Sequence, residues 1–554
     1  MRTYSRSARR LTCGAIFSLS IVVRGIAAPA APVGGAQAPP AAAEKPAPAP
    51  AAEKPAPAPA ADQRFDVQEY RVIGNTVLEG RAIERLLYPL LGTSKTLSDV
   101  EAARAALEKV YHDQGFGTVF VDIPPQTINE GIVRLRVTEG RIERTEISGA
   151  RYFPERDVIS QLPATTPGTV LQISKLQSEL AAVNTETPDR AVVPVLKAGS
   201  EPGTVDLSLQ VSDHLPLHGS LELNNQATID TRSLRSIASL SYGDLFGRMD
   251  SISFQYQATP QQIDQVRVIA VDYVAHAFDS GLQPSLMYVN SNSNVPAAGT
   301  LGVLGIGEVT GLRLAYPIAP APSVQSLTFG VDYKHFRNTI SQNATTALNT
   351  PISYLNLSLG YAGLWRTDRV TTTASVTANA GPRGLVNNSS AFENDRYRGN
   401  ANYFDLRGDV ATLIKLPADF ALRLRVAGQG ATEPLITNED FSIAGVDGVR
   451  GYLESEELGD KAIKETLQLN SPSLHRHGLA LGDVYVFFDA GRMWVIDPLS
   501  SEPAGANLRS WGVGFDLLPL QKLTGSFTYA RTLSAASVTR AGESRFLFVL
   551  RGTF

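Results

Sequence analysis

The chain has 554 residues, 43% hydrophobic and 19% charged, with 50 Lys and Arg against 54 Asp and Glu and a formal charge of -4. That balance offers no basic stripe for nucleic-acid phosphates, and beyond the N-terminal segment no apolar run reaches the length of a membrane helix, so a membrane-integral chain of this kind must be a closed barrel. A single cysteine, Cys13, excludes a disulfide framework.

Arg2, Arg6, Arg9 and Arg10 precede an apolar stretch from Leu11 to Val23 and small residues at Ala27 and Ala28, the layout of a secretory signal peptide over residues 1–28. Its removal takes away five arginines and no acidic residue, moving the formal charge from -4 to -9, and leaves no thiol. Residues 29–62 are nearly all Ala and Pro, with one nonamer starting at Ala42 and again at Ala51. Proline fixes φ and removes amide donors, so this segment is expected to be a polyproline-like linker.

Residues 65–140 read as a small α/β domain of order β-α-α-β-β. A strand through Tyr70, Val72 and Ile73 leads to two amphipathic helices, the second marked by capping-box spacing of Ser98 and Glu101. Val100, Ala103, Leu107, Val110 and Tyr111 form its apolar face. Strands are expected at Thr118–Ile123 and Ile132–Thr138, the latter with Val133, Leu135 and Val137 on one side and Arg134 and Arg136 on the other. The order returns over 141–213: Ile147-Ser148-Gly149 echoes Ile73-Gly74, and a helix near Ser174 has Gln177 at the box position and Leu176, Leu180 and Val183 inward. Strands at Ala191–Leu196 and Thr204–Val211 complete this second copy.

From Leu217 to Phe554 helical periodicity gives way to alternating strands of about ten residues, about sixteen in all, an even number as a single-chain bacterial barrel requires. Leu422, Leu424 and Val426 interleave with Arg423 and Arg425, and Phe546, Phe548 and Leu550 with Arg545 and Arg551. Aromatics pair near strand ends, as Tyr242 with Phe246, Tyr485 with Trp494 and Trp511 with Phe515, which suits interfacial girdles, and Phe554 ends the alternating pattern as a barrel C-terminal signal. The expected fold is mainly β: a sixteen-stranded transmembrane antiparallel barrel over 217–554, preceded by two small α/β domains.

On these residues the chain resembles the two-partner secretion transporters, the TpsB or haemolysin secretion/activation family, within the superfamily that includes BamA-type insertases. The end of the second module, Asn184 to Pro188 with Arg190, Leu196, Gly199, Pro202, Gly203, Asp206, Leu207 and Val211, resembles that family's second POTRA domain. Val449-Arg450-Gly451-Tyr452 resembles the tip of the superfamily's sixth extracellular loop, and Phe488-Asp489-Ala490-Gly491 the wall motif that receives it. The resemblance implies an outer-membrane exporter of a haemolysin- or adhesin-like partner exoprotein, with periplasmic POTRA domains, inserted into the lipid bilayer by the barrel assembly machinery. The runner-up it implies is an insertase for other barrels.

Strand geometry agrees with those roles. Phe488 and Asp489 must face opposite sides, so a lipid-facing Phe488 puts Asp489 in the lumen, where the planar guanidinium of Arg450 can meet it with two parallel hydrogen bonds beside the turn at Gly451. A client could add as a strand along an exposed edge formed by Val192, Val193, Val195 and Leu196, a row that Pro194 interrupts. The family's N-terminal plug helix is not expected here, because residues 29–62 are too rich in proline. No nucleophile elbow or phosphate loop is present, and His475 with His477 lacks a spaced third ligand, so no enzyme, metal or cofactor is expected.

Overall fold

A computed structural model of the chain describes residues 64–554 except 129, 277–280, 294–304, 320–323, 344–345, 475–480 and 521. The signal peptide and linker expected over 1–62, and the His475 and His477 pair, lie outside the described residues. The chain divides into two compact units between Asp213 and His214.

The first unit holds the two α/β modules. In one, β1 (Phe65–Val67), β2 (Glu69–Ile73), α1 (Gly80–Leu87), β3 (Gly92–Lys95), α2 (Leu97–Asp113), β4 (Phe120–Asp122) and β5 (Ile132–Thr138) follow in order. Their main sheet runs β2-β5-β4 with β2 parallel to β5, and β1 pairs separately with β3. In the other, β6 (Arg141–Ser148), α3 (Glu155–Ser160), α4 (Ile173–Glu186), β7 (Arg190–Ala198) and β8 (Thr204–Asp213) give a sheet β6-β8-β7 with β6 parallel to β8. The repeat extends to one backbone detail. Gly74 (φ +94) and Gly149 (φ +87) follow the first parallel strand of each module, and a Cβ at either would run into a carbonyl oxygen, of Val137 and Val211 respectively. Only glycine fits both turns.

Each module closes over the helical face expected from its spacing. Val100, Ala103, Leu107 and Tyr111 of α2 are buried against Val133, Leu135 and Val137 of β5, and Leu176, Leu180 and Val183 of α4 pack with Leu207, Leu209 and Val211 of β8. Burial of each such large aliphatic side chain is worth about 1.5–3 kcal/mol, which sets the fold of so small a domain. Both caps differ from expectation. The box of α2 is Thr96 with Asp99, two residues before Ser98 and Glu101: the Asp99 amide donates to Thr96 Oγ1 (3.3 Å), and the Thr96 amide to Asp99 Oδ2 (2.7 Å). Helix α4 has no side-chain cap; instead its Ile173 amide donates to Gly115 O at 2.7 Å, so the preceding module's backbone satisfies one of its orphan donors, and the Gln172 side chain adds a bond to Gln114 O at 2.9 Å.

Glu143 of β6 anchors the turn before β8. Its carboxylate accepts from Ser200 Oγ (2.5 Å), Thr204 Oγ1 (2.7 Å) and the Ser200 amide (2.8 Å), and these hydrogen bonds, first those from the hydroxyls of Ser200 and Thr204, hold its pKa down at about 2 from 4.5. A depressed folded value contributes stability that is fully present above 4.5 and is lost as pH falls toward about 2. Glu143→Gln is therefore expected to lower hydrogen-exchange protection of the Ser200 amide at pH 7, with the difference from wild type shrinking below pH 4.5.

The second unit is the barrel. Among the described residues sixteen strands close on themselves: β9 (Leu217–Asn224), β10 (Arg235–Leu245), β11 (Asp250–Ala258), β12 (Arg267–Val274), β13 (Gln283–Ser293), β14 (Gly305–Ala319), β15 (Val324–Asn343), β16 (Thr346–Arg366), β17 (Val370–Ala380), β18 (Phe404–Lys415), β19 (Ala421–Ala431), then, past the two-residue loop strands β20 (Phe441–Ser442) and β21 (Leu458–Gly459), β22 (Lys461–Asn470), β23 (Leu481–Trp494), β24 (Gly505–Leu520), β25 (Leu523–Thr532) and β26 (Ser544–Thr553). Each pairs antiparallel with its neighbour, and β26 closes on β9.

Polarity is inverted relative to a soluble sheet. Leu240, Phe254, Leu312, Phe329, Leu424, Val426, Phe488 and Trp511 stand exposed on the outer face, while Asn224, Gln257, Asp332, Asn356, Asp405, Asp489, Ser510 and Thr532 are buried inside. An apolar belt outside and polar side chains within is the pattern of a strand wall solvated by lipid. One aromatic pair departs from the expected girdles. Tyr485 is three residues out of phase with Phe488, faces the lumen, and is bonded through its hydroxyl to Thr528 Oγ1 (2.7 Å), so it shares no belt with Trp494.

The closing seam is short. β26 and β9 share five residue pairs, Val549↔Asn224 to Thr553↔Ser220. Beyond them the Asn225 side chain stands in for a strand, donating to Phe546 O (2.7 Å) and accepting from the Phe548 amide (2.9 Å), while Arg551 Nε donates to Glu222 Oε2 at 2.9 Å on the lumenal side. The Phe554 amide donates to Gly219 O at 3.0 Å.

Candidate functional site

The loop of residues 432–460 leaves β19 and returns to β22 by way of the small β20-β21 pair. Its tip lies inside the barrel. Ile443, Ala444, Val449 and Tyr452 are buried in one cluster with Ala462, Met493 and Leu508 of the wall. This apolar seat brings Arg450 over β23.

There Arg450 meets Asp489 as a fork: Nε donates to Oδ2 at 2.7 Å and Nη2 to Oδ1 at 2.9 Å, and the Arg450 amide adds a third bond to Oδ2 at 3.1 Å. The Asp489 side chain is 0% exposed and that of Arg450 11%. The remaining guanidinium nitrogen, Nη1, donates to Gln468 Oε1 at 2.9 Å on β22, and the guanidinium carbon sits 3.4 Å above the centroid of Phe487. Each guanidinium nitrogen donates and one face lies on an aromatic ring, the kind of pairing a charge removed from water demands.

The residues around the pair explain why it fits. Gly451 has φ +101, and a Cβ there would press on Ala530 and Thr532 of β25 at 3.3 Å. The absent side chain of Gly491 leaves room for Val449 and Ile443. Phe488 points outward. The Tyr452 hydroxyl lies 2.7 Å from Ser534 O and 3.0 Å from Arg509 O, tying the tip to the next loop. Further along, the Glu456 carboxylate accepts the amides of Leu453 (2.9 Å), Val538 (3.0 Å) and Thr539 (2.6 Å), and the Glu454 amide donates to Ala227 O at 2.9 Å. The loop is thus held by the wall on one side and by two neighbouring loops on the other.

Arg450, Gly451, Tyr452, Asp489 and Gly491 therefore come together. Phe487, Gln468, Ser534 and Glu456 were not singled out from sequence. Phe487 had a signal, since strand alternation puts it on the face of Asp489; the others come from elements whose register no local pattern reveals.

The expected client edge needs correction. β7 is an edge strand, but Val192 is 1% exposed and sits in the module core, and both its outward backbone groups are taken by Asn184: the Val192 amide donates to Oδ1 (2.7 Å) and Nδ2 donates to Val192 O (3.0 Å). Two residues on, Pro194 has no donor. The outward row of backbone groups is therefore interrupted at Val192 and Pro194. Of the four candidate side chains, those of Val193 and Leu196 are exposed, at 55% and 42%, with Val195 half-buried between them. At the end of the Asn184-to-Arg190 stretch, Arg190 is buried and donates to Glu186 Oε2 at 2.8 Å and to Val183 O at 3.2 Å inside the module.

Comparison with known proteins gives the family. Residues 65–140 match the profile of the ShlB-type POTRA domain, and residues 203–517 that of haemolysin secretion/activation protein ShlB/FhaC/HecB. Among curated relatives, the heme/hemopexin transporter protein HuxB of Haemophilus influenzae (strain 86-028NP) is 21% identical over 379 residues, 67% of this chain and 65% of that one, so the chain spans just under two thirds of that relative's length. The outer membrane transporter CdiB of Dickeya dadantii (strain 3937) is 25% identical over 186 residues, covering 34% and 32%. Two solved structures share the fold at the same TM-score of 0.56: CdiB from Escherichia coli (17% identity, 91% and 93% covered) and BamA from Haemophilus ducreyi lacking POTRA domains 1-3 (13%, 88% and 100%). Fold similarity alone does not separate the two families, but the match over residues 203–517, more than half of the chain, does. The chain belongs to the haemolysin secretion/activation family ShlB/FhaC/HecB, outer-membrane β-barrel transporters whose POTRA domains lie in the periplasm.

Proposed function

We propose that the chain moves a haemolysin- or adhesin-like partner exoprotein across the outer membrane by two-partner secretion. The modules take hold of the unfolded client in the periplasm, and the barrel lumen conducts it. The observation that carries this reading is family membership over most of the barrel. On the module surface, the exposed Val193 and Leu196 offer apolar contact rather than a continuous strand template. The loop bearing Arg450 acts as a clasp that must shift for the client to pass, since it occupies the lumen and its charge is matched only in the docked position.

The test is comparison of secreted and outer-membrane proteins in a deletion strain. The expected result is loss of one large secreted protein, restored by the wild-type chain, with other barrels at normal levels. General depletion of outer-membrane barrels with normal secretion would instead make the chain an assembly factor.

A further inference from the structure

We infer that the pore carries a second closure, separate from the Arg450–Asp489 clasp, and that Glu439 is the residue that seats it; this rests on the reading of the barrel as an export pore. The lumenal face is polar along most of its wall, yet where β12 to β16 line it Val268, Val309, Phe336 and Tyr354 are all under 3% exposed. What covers them is loop. Phe392, on the helix α5 (Ser389–Asp395) of the loop joining β17 to β18, and Leu435 and Ile436, on the loop after β19, are each 1% exposed within the same cluster. Apolar side chains on a channel wall are costly when wet and stabilising when covered, so this wall is built to be occupied.

Beside this dry contact lies a charge. Glu439, in a 3-10 turn (Thr437–Glu439), is 2% exposed at its side chain, and its carboxylate accepts from Lys334 Nζ (2.5 Å) on β15, Tyr354 Oη (2.5 Å) on β16 and Arg407 Nη2 (3.3 Å) on β18. One loop carboxylate thus grips three wall strands. The loops also hold one another: Asp460 is met by Arg396 at 3.0 and 2.9 Å and accepts the amides of Leu435 and Ile496, each at 2.6 Å. The loops after β17 and β23 and the two ends of the loop after β19 therefore hold together, and they meet the wall through the apolar seat, through Glu439, and through Asn387 and Asp395, which bond the Leu355 backbone (2.8 and 3.1 Å) and Thr350 Oγ1 (3.1 Å) of β16. Arg450 lies on the same loop as Glu439, but neither Arg450 nor Asp489 makes any of these bonds, so the tip can leave Asp489 with them intact. Withdrawal of these loops takes Glu439 away from Lys334, while Arg407 keeps its bond to Asp405 at 3.1 Å, and the charge mismatch left at Lys334 favours reseating once the client has passed.

The experiment is single-channel recording in planar bilayers with the purified full-length chain, with heat-modifiable migration on gels as the check on folding. Arg450→Ala alone is expected to raise the conducting fraction less than Glu439→Lys does. Glu439→Gln is expected to raise the conducting fraction at least about tenfold, and Glu439→Lys more, because one side of a buried charge set is left unmatched. Combining Lys334→Glu with Glu439→Lys restores the charge set and is expected to return conductance toward wild type, a rescue that mere loosening of the fold does not give. A folded Glu439→Lys barrel with wild-type conductance, or full opening by Arg450→Ala alone, overturns the proposal. These recordings need no client, so their outcome is read separately from the secretion test of the function itself.

Discussion

Asp489→Ala is expected to abolish export while the barrel still assembles. The substitution leaves the Arg450 guanidinium in its buried position with Gln468 and Phe487 but without a counter-charge. Breaking one half of a buried pair costs about 3–5 kcal/mol, equivalent to a factor of about a hundred to a few thousand in the population of the docked loop. Protease accessibility of residues 443–457 from outside the cell measures that population, and secretion of the partner measures the consequence. The paired substitution Arg450→Met with Asp489→Leu separates stability from switching. Exchange of a buried ion pair for apolar residues is often neutral for stability. The double variant is therefore expected to assemble like wild type and to restore loop protection, yet to remain deficient in export, because an apolar seat has no charge to re-pair and reset. Full restoration of export by the double variant would show that the pair serves packing alone.

Tethering the loop tests the same motion without removing a charge. Ile443 Cβ lies 3.2 Å from the position a Cβ would take at Gly491. Disulfides span about 3.5–4.5 Å between Cβ atoms, so Ile443→Cys with Gly491→Cys requires the loop to yield by only a few tenths of an ångström. Cys13 is the sole native cysteine, which keeps the readout clean. Secretion is expected to stop when the pair is oxidised and to return on addition of reductant, with each single variant exporting throughout. Unimpeded secretion through the oxidised barrel would mean that the client passes a fixed loop.

Much of this architecture was legible in the sequence because it is written at short range. The arginines of β19 alternate with leucines, the helical faces of α2 and α4 repeat at their proper spacing, and two glycines mark equivalent turns. The Arg450 and Asp489 pair was reached through resemblance and strand parity together. What was hidden depends on distant partners. Glu439 reads as one more acid in a polar loop, for Tyr354 and Lys334 lie 85 and 105 residues away in sequence. Asn184 carries no sign that it blocks the edge at Val192. Ser98 and Thr96 both begin box-like spacings, and only the backbone at Thr96, extended at φ -107 and ψ 169, makes it the cap. Tyr485 resembles a girdle residue by aromatic content alone, and parity counted from Asp489 puts it on the lumenal face.

The seam between β9 and β26 bears on the order of events in biogenesis. Arg551 and Glu222, joined across it, are 329 residues apart in sequence, so the ring is sealed by its most non-local contacts. Every other neighbour pair in the wall can form as a local meander, but until β26 has been made β9 presents an unpaired edge to whatever it meets. Folding speed is thereby limited by a search over nearly the whole barrel, and the half-made sheet is most prone to aggregate during that wait. The brevity of the seam, five residue pairs with a side-chain amide continuing the row, reduces the number of bonds that must fall into register in the final step.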